Sequence, residues 1–303
     1  MAMKKTALAT LAALGAQIIF GFSFMFTKIA LGYASPLTVI ADRYLTAFVG
    51  LSIVMLVTKT RIPFGKNLWK LVLMSVFQPV LYFVFESYGI AMTTSSFSSV
   101  MISMIPVVSM ICGVFFLREI PSPLQYVFTA LSVGGVVLMA LAGRADGTVT
   151  LPGILLLFFA VLSSVGYNIM SRKISAQYTA LERTYAMSII GLVVFLAVAL
   201  VENIKNPVAV FEPFLNNSFV VSILYLGIAS SVVAFILLNY ANTYLPVAKT
   251  TVFSNITTVV SVGAGAIFLN ERITPVSFVS AVMIVAGVWG VQALNMKSGK
   301  KIN

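Results

Sequence analysis

Three polar side chains in one apolar stretch are spaced so that they can act together. Gln78, Tyr82 and Glu86 stand four residues apart, and this spacing places them on one face of a helix. A carboxylate inside an apolar membrane helix costs about 2.5–3.5 kcal/mol on insertion scales, so it is expected to face protein or water. Glu86 could bind an amino group, carry a proton or form an ion pair. The spacing makes all three residues candidate binding residues.

Two other stretches carry matching polar stripes. Ser99, Ser103 and Pro106 are followed, 152 residues later, by polar residues that include Asn255 and Thr258. Such stripes could line a binding site at the middle of a membrane, although small hydroxyl residues also join membrane helices to one another. Both interpretations stay open at this level. Thr258 stands where the first copy has Pro106, so only one of the two helices is expected to kink.

Three further charges lie within apolar stretches, at Lys28, Asp42 and Arg43. With Glu86 they sum to zero, so they could form one closed charge network or take part in gating. Lysine can also extend its charged end to the membrane surface, whereas Arg43 lies too deep in its segment to do so easily.

The composition excludes several classes of protein. Hydrophobic residues make up 60% of the 303 residues and charged residues 9%, against about 25% charged in soluble domains. The chain has no histidine and one cysteine, Cys112, so we expect no disulfide, metal or cofactor. A nucleotide-binding Gly-x4-Gly-Lys loop is absent from the sequence, and the cations sit between apolar runs, which argues against nucleic acid. We expect an integral membrane protein that is not an enzyme.

Ten apolar runs are long enough to span a bilayer as helices. Their approximate bounds are 6–31, 36–58, 68–91, 96–117, 122–142, 151–171, 180–202, 217–241, 246–269 and 274–296. Of the 19 lysines and arginines, thirteen fall on the side of the N-terminus, Arg183 among them, and three fall on the opposite side. Because cytoplasmic segments hold the excess of basic residues, both termini are predicted to be cytoplasmic.

The chain repeats itself at half its length. FFLREIPSP at 115–123 recurs as IFLNERITP at 267–275, which puts Glu119 and Glu271 152 residues apart. Five is an odd number of helices, so a second set of five enters the membrane inverted. The prediction is an all-α membrane protein of ten helices, with one five-helix repeat at 1–147 and an inverted one at 148–303. Glu119 and Glu271 are interpreted as charges at span ends that stabilise the N-termini of the spans that follow them.

Several motifs resemble the drug/metabolite transporter superfamily in its ten-helix branch of two EamA-type domains. In the first half these are FGFSFMFTK, SPLTVIADR and FLREIPS; in the second they are NYANTYLPVAKTTVFSN and FLNERITP. The resemblance covers nearly the whole chain. It implies a metabolite exporter with a cavity between the two halves, and it leaves the substrate open among amino acids, other metabolites, drugs and nucleotide-sugars.

The resemblance and the repeat together favour a secondary transporter that exports small metabolites, such as amino acids, by alternating access across the cytoplasmic membrane. A multidrug or nucleoside-type exporter of the same fold, and a membrane-embedded enzyme, are the alternatives. The substrate-binding set is then Gln78, Tyr82, Glu86, Ser99, Ser103, Pro106, Asn255 and Thr258. We expect as partners a small molecule, the bilayer and, as a candidate coupling ion, the proton; we expect a monomer or a weak homodimer.

Overall fold

The computed structural model describes residues 2–60, 67–117, 122–145, 147–245, 250 and 253–298, and within these ranges every regular element is helical. The α-helices are α1 (Ala2–Ala30), α2 (Pro36–Thr58), α3 (Leu68–Ser75), α4 (Tyr82–Ala91), α5 (Ser95–Ile102), α6 (Ile105–Leu117), α7 (Pro123–Ala145), α8 (Leu151–Ile174), α9 (Ala180–Glu202), α10 (Asn217–Leu224), α11 (Phe235–Tyr244), α12 (Ser254–Phe268) and α13 (Pro275–Ser298). Glu119 lies outside the described residues.

Among the described residues, seven helical stretches are long and apolar enough to cross a membrane. They are Lys5–Ala30, Pro36–Thr58, Leu68–Ala91, Pro123–Arg144, Leu151–Ile174, Ala180–Glu202 and Asn217–Tyr244. Three shorter apolar helices cover Ser95–Ser109, Ser254–Phe268 and Pro275–Val291. Each of the ten predicted segments therefore contains described helix, and the chain is an all-helical, multi-pass membrane protein.

Short polar residues start several of these helices. Ser35 caps α2, Thr150 caps α8 and Thr179 caps α9, each accepting a hydrogen bond from a backbone amide of the first turn. Proline follows at Pro36 and Pro152, where its missing N–H leaves no bond unmade. The turn residues that separate the predicted segments are thus the caps that begin the helices.

Within the described residues, interruptions are seen in the third, fourth and eighth membrane segments. The third is kinked at Val76–Leu81, where Gln78 has a non-helical backbone and a cis bond precedes Pro79, and the eighth contains a π-helical stretch, Tyr225–Ala234. A shift of 152 residues carries the first of these onto the second. The fourth segment breaks between α5 and α6, just before Pro106, whereas Thr258 lies inside the unbroken α12. The break expected near Pro106 is present. Residues 246–249 and 251–252 of the ninth segment lie outside the described ranges, and helix α12 begins only at Ser254, so the expectation that this segment has no kink stays a prediction. The breaks in the third and eighth segments were not predicted.

Glycine allows α7 and α13 to pack closely. A Cβ atom added at Gly287 would lie 2.6 Å from the Phe128 carbonyl oxygen and 2.4 Å from Ser132 Oγ. Ser132 Oγ donates to the Ile284 carbonyl at 3.2 Å, which fixes the two helices to each other. The contact depends on backbone proximity, so no side-chain rearrangement can make room at Gly287.

Replacing Gly287 with alanine is therefore expected to lower the free energy of unfolding by about 1–3 kcal/mol. Gly263, in α12, provides the matched control because a Cβ atom there would meet nothing within 4 Å. Gly263→Ala should be neutral or stabilising by up to ~1 kcal/mol, since alanine favours helix over glycine. Unfolding midpoints of the purified variants in detergent test this, and equal destabilisation by both substitutions would contradict it.

Candidate functional site

A cavity lies between the two halves of the chain. Its walls come from α1, α2, the third segment and α5–α6 on one side, and from α8, α11 and α12 on the other. The cavity volume is about 60 Å³, which is room for a few water molecules. Ligand sites usually span ~300–1,000 Å³, so the cavity in this conformation is too small for a ligand of that kind.

Glu86 and Tyr82 form a hydrogen-bonded pair on the cavity wall. They lie one turn apart on α4, and Tyr82 Oη donates to Glu86 Oε1 at 2.8 Å. Glu86 is 4% exposed and lines the cavity. Its second oxygen, Oε2, makes no hydrogen bond within the described part of the chain, so it is available to a ligand.

Arg43 reaches the same cavity from α2. Its Nε donates to Ser231 at 2.7 Å and one terminal nitrogen donates to Ser230 at 2.8 Å. The guanidinium carbon lies 4.0 Å from the centre of the Phe83 ring. The other terminal nitrogen, Nη1, has no hydrogen-bond partner among the described residues. The two serines and the ring therefore hold the guanidinium in place and leave one edge open for an anion.

Gln78 lines the cavity at the kink Val76–Leu81 of the third segment. Its backbone is extended, with φ −147° and ψ 114°, which turns the side chain out of the helical path. Although Gln78 is only 5% exposed, its Oε1 has no hydrogen-bond partner in the described structure. A buried amide oxygen of this kind is a ready acceptor for a ligand N–H.

The two polar stripes lie beside the cavity, at a contact between α5 and α12. Ser99 and Ser103 donate to carbonyls of their own helix, at 2.9 and 2.7 Å, and Thr258 lies 3.4 Å from the Ser99 carbonyl oxygen. Pro106 begins α6, and Asn255 keeps a buried Oδ1 without a partner in the described residues. None of these five is among the residues that line the cavity, which receives Ser254 and Thr257 from α12.

The four membrane charges do not form one closed network. Lys28 Nζ donates to the carbonyls of Ile90 at 2.8 Å and Thr93 at 2.5 Å, where it satisfies the C-terminal end of α4. Asp42 is fully buried, and neither of its oxygens has a hydrogen-bond partner among the described residues. Lys28 and Asp42 are not cavity-lining residues, so Arg43 and Glu86 are the two charges that meet there.

Glu271 binds the N-terminus of α5. Asn270 has a φ of 54° after the end of α12, a conformation that asparagine tolerates. The resulting turn brings the carboxylate to the amides of Ser95 at 2.8 Å and Ser96 at 3.1 Å. The hydroxyls of Ser95 and Ser96 also donate to it. We call this the α5 cap. The expected role at a helix N-terminus is present, but the expectation that Glu271 serves the span that follows it is wrong.

The second half contains a polar network that sequence reasoning missed. Arg183 lies fully buried in the first turn of α9, not in a loop. Its guanidinium donates to the carbonyl and hydroxyl of Ser171, both at 2.7 Å, and to the Asn239 carbonyl at 2.7 Å. Arg172 caps the C-terminus of α11 by donating to the carbonyls of Asn242, at 3.0 Å, and Thr243. Asn242 is 152 residues after Ile90, so Arg172 repeats the contact that Lys28 makes in the first half.

A family model and two related sequences all match this chain to transporters. The model of the EamA-like transporter family matches residues 7–141 and 151–292. The uncharacterized transporter YcxC of Bacillus subtilis (strain 168) is 34% identical over 286 residues, covering 93% of this chain and 92% of the relative. A probable terminal-alkyne amino-acid exporter of Streptantibioticus cattleyicolor is 28% identical over 211 residues, covering 68% of this chain and 67% of its own.

One solved crystal structure superposes with a TM-score of 0.67 over 95% of this chain and 98% of its own length, at 16% sequence identity. That likeness concerns the fold alone. The two matched ranges of the family model and the YcxC relative cover almost the entire sequence, and they identify this chain as a member of the EamA-like transporter family.

Proposed function

We propose that this transporter exports small zwitterionic metabolites, such as amino acids, across the cytoplasmic membrane by alternating access. The observation that carries the proposal is the pairing of Arg43 and Glu86 on one cavity wall. The open edge of Arg43 binds the substrate carboxylate, because guanidinium and carboxylate match in shape and charge. The free oxygen of Glu86 accepts from the substrate ammonium.

The rest of the wall suits an apolar substrate side chain. Phe20, Phe24, Phe83 and Phe235 line the cavity together with Ile102, Ile105 and Leu238. Burial of aliphatic or aromatic surface against them adds ~25 cal/mol per Å². A cationic drug would bind to Glu86 and leave the charge of Arg43 without a partner. This argues for a zwitterionic substrate and against the multidrug alternative.

Two inverted five-helix repeats at 1–147 and 148–303 provide the moving parts. The proposal is supported by features that recur about 152 residues apart: the interruptions of the third and eighth segments, and the carbonyls of Ile90 and Asn242, which accept from Lys28 and Arg172. Ser132 also donates to the Ile284 carbonyl, which is 152 residues further along the chain. With ten membrane crossings and cytoplasmic termini, the α5 cap lies at the extracellular end. Its closure seals the cavity from outside, and its release opens the path for export.

Reconstitution in proteoliposomes tests this function. The purified protein is first screened for thermal stabilisation by each proteinogenic amino acid, because a ligand of the folded state raises its stability. Counterflow of each radiolabelled amino acid is then measured, and the signal of the amino acid that stabilises most should exceed that of protein-free liposomes. Its decarboxylated amine and its N-acetyl derivative should each compete poorly. Absence of counterflow for every amino acid, or equal competition by the amine, would contradict the proposal.

Membrane orientation can be tested with single cysteines. In a Cys112→Ser background, we expect an impermeant thiol reagent to label Gly147→Cys on intact cells and Ser298→Cys only after the membrane is opened. Gly147 is exposed after α7, with a φ of 69°, so a cysteine there is accessible to the reagent. Labelling of Ser298→Cys from outside, with Gly147→Cys protected, would reverse the proposed topology.

A further inference from the structure

Asp42 is a buried carboxylate that is not among the residues lining the cavity. It lies in the second turn of α2 with 0% exposure. Neither Oδ1 nor Oδ2 finds a hydrogen-bond donor in the described structure. The neighbouring Arg43 is directed to Ser230, Ser231 and the Phe83 ring, so it does not neutralise Asp42.

The charged groups around α2 have other partners, and the buried hydroxyl of Tyr44, on α2 itself, has no hydrogen-bond partner among the described residues. The closest neighbours of α2 are α4, α9, α10 and the π-helical stretch Tyr225–Ala234. On these elements Glu86 accepts a hydrogen bond from Tyr82, and Arg183 donates to Ser171 and Asn239. Glu182 accepts from the Thr179 amide, and Glu202 accepts from Ser35. The Tyr185 hydroxyl bonds to Ser52, and the Tyr225 hydroxyl donates to the Ile19 carbonyl. Tyr88 lies towards the end of α4, and Tyr44 on α2 packs between Phe83 and Phe195. Lys28, on α1, donates to the Ile90 and Thr93 carbonyls.

An ionised carboxylate in such a place is costly. Burial of a charge without a partner costs several kcal/mol even after relaxation of the surrounding protein. Because ionisable residues inside membrane segments are so costly, those that are present usually have a function. A metal ion would need a set of oxygen or nitrogen ligands, and the described residues hold no group of three or more His, Cys, Asp or Glu side chains. A proton removes the charge without any further ligand.

The adjoining backbone provides a way to expose Asp42. Gly227, in the π-helical stretch, packs so closely on α2 that an added Cβ atom would lie 2.6 Å from the Thr46 side chain and 3.1 Å from the Arg43 carbonyl oxygen. π-Helical turns inside α-helices are frequent at functional sites. Arg43 joins this stretch to the substrate cavity through Ser230 and Ser231. A shift of the stretch relative to α2 would therefore change both the cavity and the surroundings of Asp42.

We propose that Asp42 is the proton-binding residue that couples substrate export to proton entry, at a site separate from the substrate cavity. The inference rests on the proposed export function. Asp42 takes a proton from extracellular water when the outer side is open and becomes the neutral acid. It releases that proton to the cytoplasm in the opposite conformation and returns to the carboxylate. The substrate occupies Arg43 and Glu86 during the outward step and is released outside, and the proton occupies Asp42 during the return step, so that a proton enters as a substrate leaves.

The transport test uses proteoliposomes and a tritium-labelled mixture of the proteinogenic L-amino acids. A proton gradient directed out of the liposomes, with an acidic lumen and a more alkaline bath, should drive accumulation of amino acid inside against its own gradient with the wild-type protein. Asp42→Asn should lose this accumulation while exchange at equal pH persists, and Asp42→Glu should keep part of it. Glu212→Gln, which changes an exposed acid, is the matched control. Wild-type accumulation by Asp42→Asn, or accumulation driven by a sodium gradient and not by a pH gradient, would overturn the proposal.

Infrared spectroscopy supplies a readout that needs no substrate. Difference spectra of the purified protein between acidic and alkaline pH should contain the C=O stretch of a protonated buried carboxyl group. This band should vanish in Asp42→Asn, shift in Asp42→Glu and remain in Glu212→Gln. A band unchanged by both Asp42 substitutions would refute proton binding there.

If the wild-type protein exchanges no amino acid, the export function fails, and the infrared band alone decides the assignment of Asp42. If Asp42→Asn does not fold, the shift in Asp42→Glu decides it.

Discussion

Exchange of an amino-acid substrate should fall about 10- to 100-fold when Arg43 is replaced with glutamine, since a hydrogen bond to a charged group contributes ~1.5–3 kcal/mol. Glutamine cannot provide the cation that the substrate carboxylate needs. It also leaves Ser230 and Ser231 without the donors that hold the guanidinium against Phe83. Arg43→Lys should restore only part of the rate, because an ammonium lacks the planar fork of the guanidinium.

The substrate itself supplies the control for this experiment. Affinity for the decarboxylated amine should change little in Arg43→Gln, because that ligand has no carboxylate to lose. Glu86→Gln should show the opposite pattern, with weaker binding of the amino acid and little change for its N-acetyl derivative. Competition in the counterflow assay measures both. If the affinity for all three compounds falls equally in a protein of unchanged thermal stability, Arg43 does not bind the substrate carboxylate separately from the ammonium bound by Glu86.

Replacement of Glu271 with glutamine should shift the protein towards the state that is open to the outside. The carboxylate accepts from two amides and two hydroxyls at the start of α5. It also lies at a helix N-terminus, where negative charge is favoured. Loss of the charge weakens this cap by about 1.5–3 kcal/mol, which corresponds to a ~10- to 100-fold change in the conformational equilibrium.

A cysteine in the cavity reports this shift. Ile102 lines the cavity and is 6% exposed, so Ile102→Cys in a Cys112→Ser background should react slowly with an impermeant thiol reagent added outside. Glu271→Gln should accelerate the labelling, whereas Glu212→Gln should not. Equal labelling rates in both backgrounds would remove the α5 cap from the gating mechanism and leave it a structural contact.

Much of the helical organisation follows from local properties of the sequence. Apolar runs of about 20 residues can satisfy their backbone hydrogen bonds in lipid only as helices, and this gave segments such as 36–58 and 180–202 at their observed bounds. Ser35 and Thr179 precede these runs and form the caps, because a short hydroxyl side chain can accept from the first free amides. Pro106 has no N–H to donate, and the fourth segment breaks just before it.

The candidate site shows which binding residues helical spacing can predict and which it cannot. Gln78, Tyr82 and Glu86 were grouped because they share a helical face, and all three line the cavity. Ser99, Ser103 and Thr258 fit the same kind of pattern, yet they lie at the contact between α5 and α12. Periodicity identifies which residues share a face of one helix. It does not identify what the face meets, because that depends on which helices become neighbours.

The sequence by itself determined that this chain is a multi-pass helical membrane protein and that its two halves share motifs, since hydropathy and repetition are local properties that can be read along the chain. Only the tertiary structure decided where the charges go. Glu271 reaches Ser95, Lys28 reaches the Ile90 carbonyl, and Arg183 is buried against Asn239. Each partner is more than 50 residues away in the chain, and a long side chain can satisfy its charge only with the groups that packing brings within about 3 Å. Asp42 has no hydrogen-bond partner among the described residues for the same reason: the helices around it direct their polar groups elsewhere.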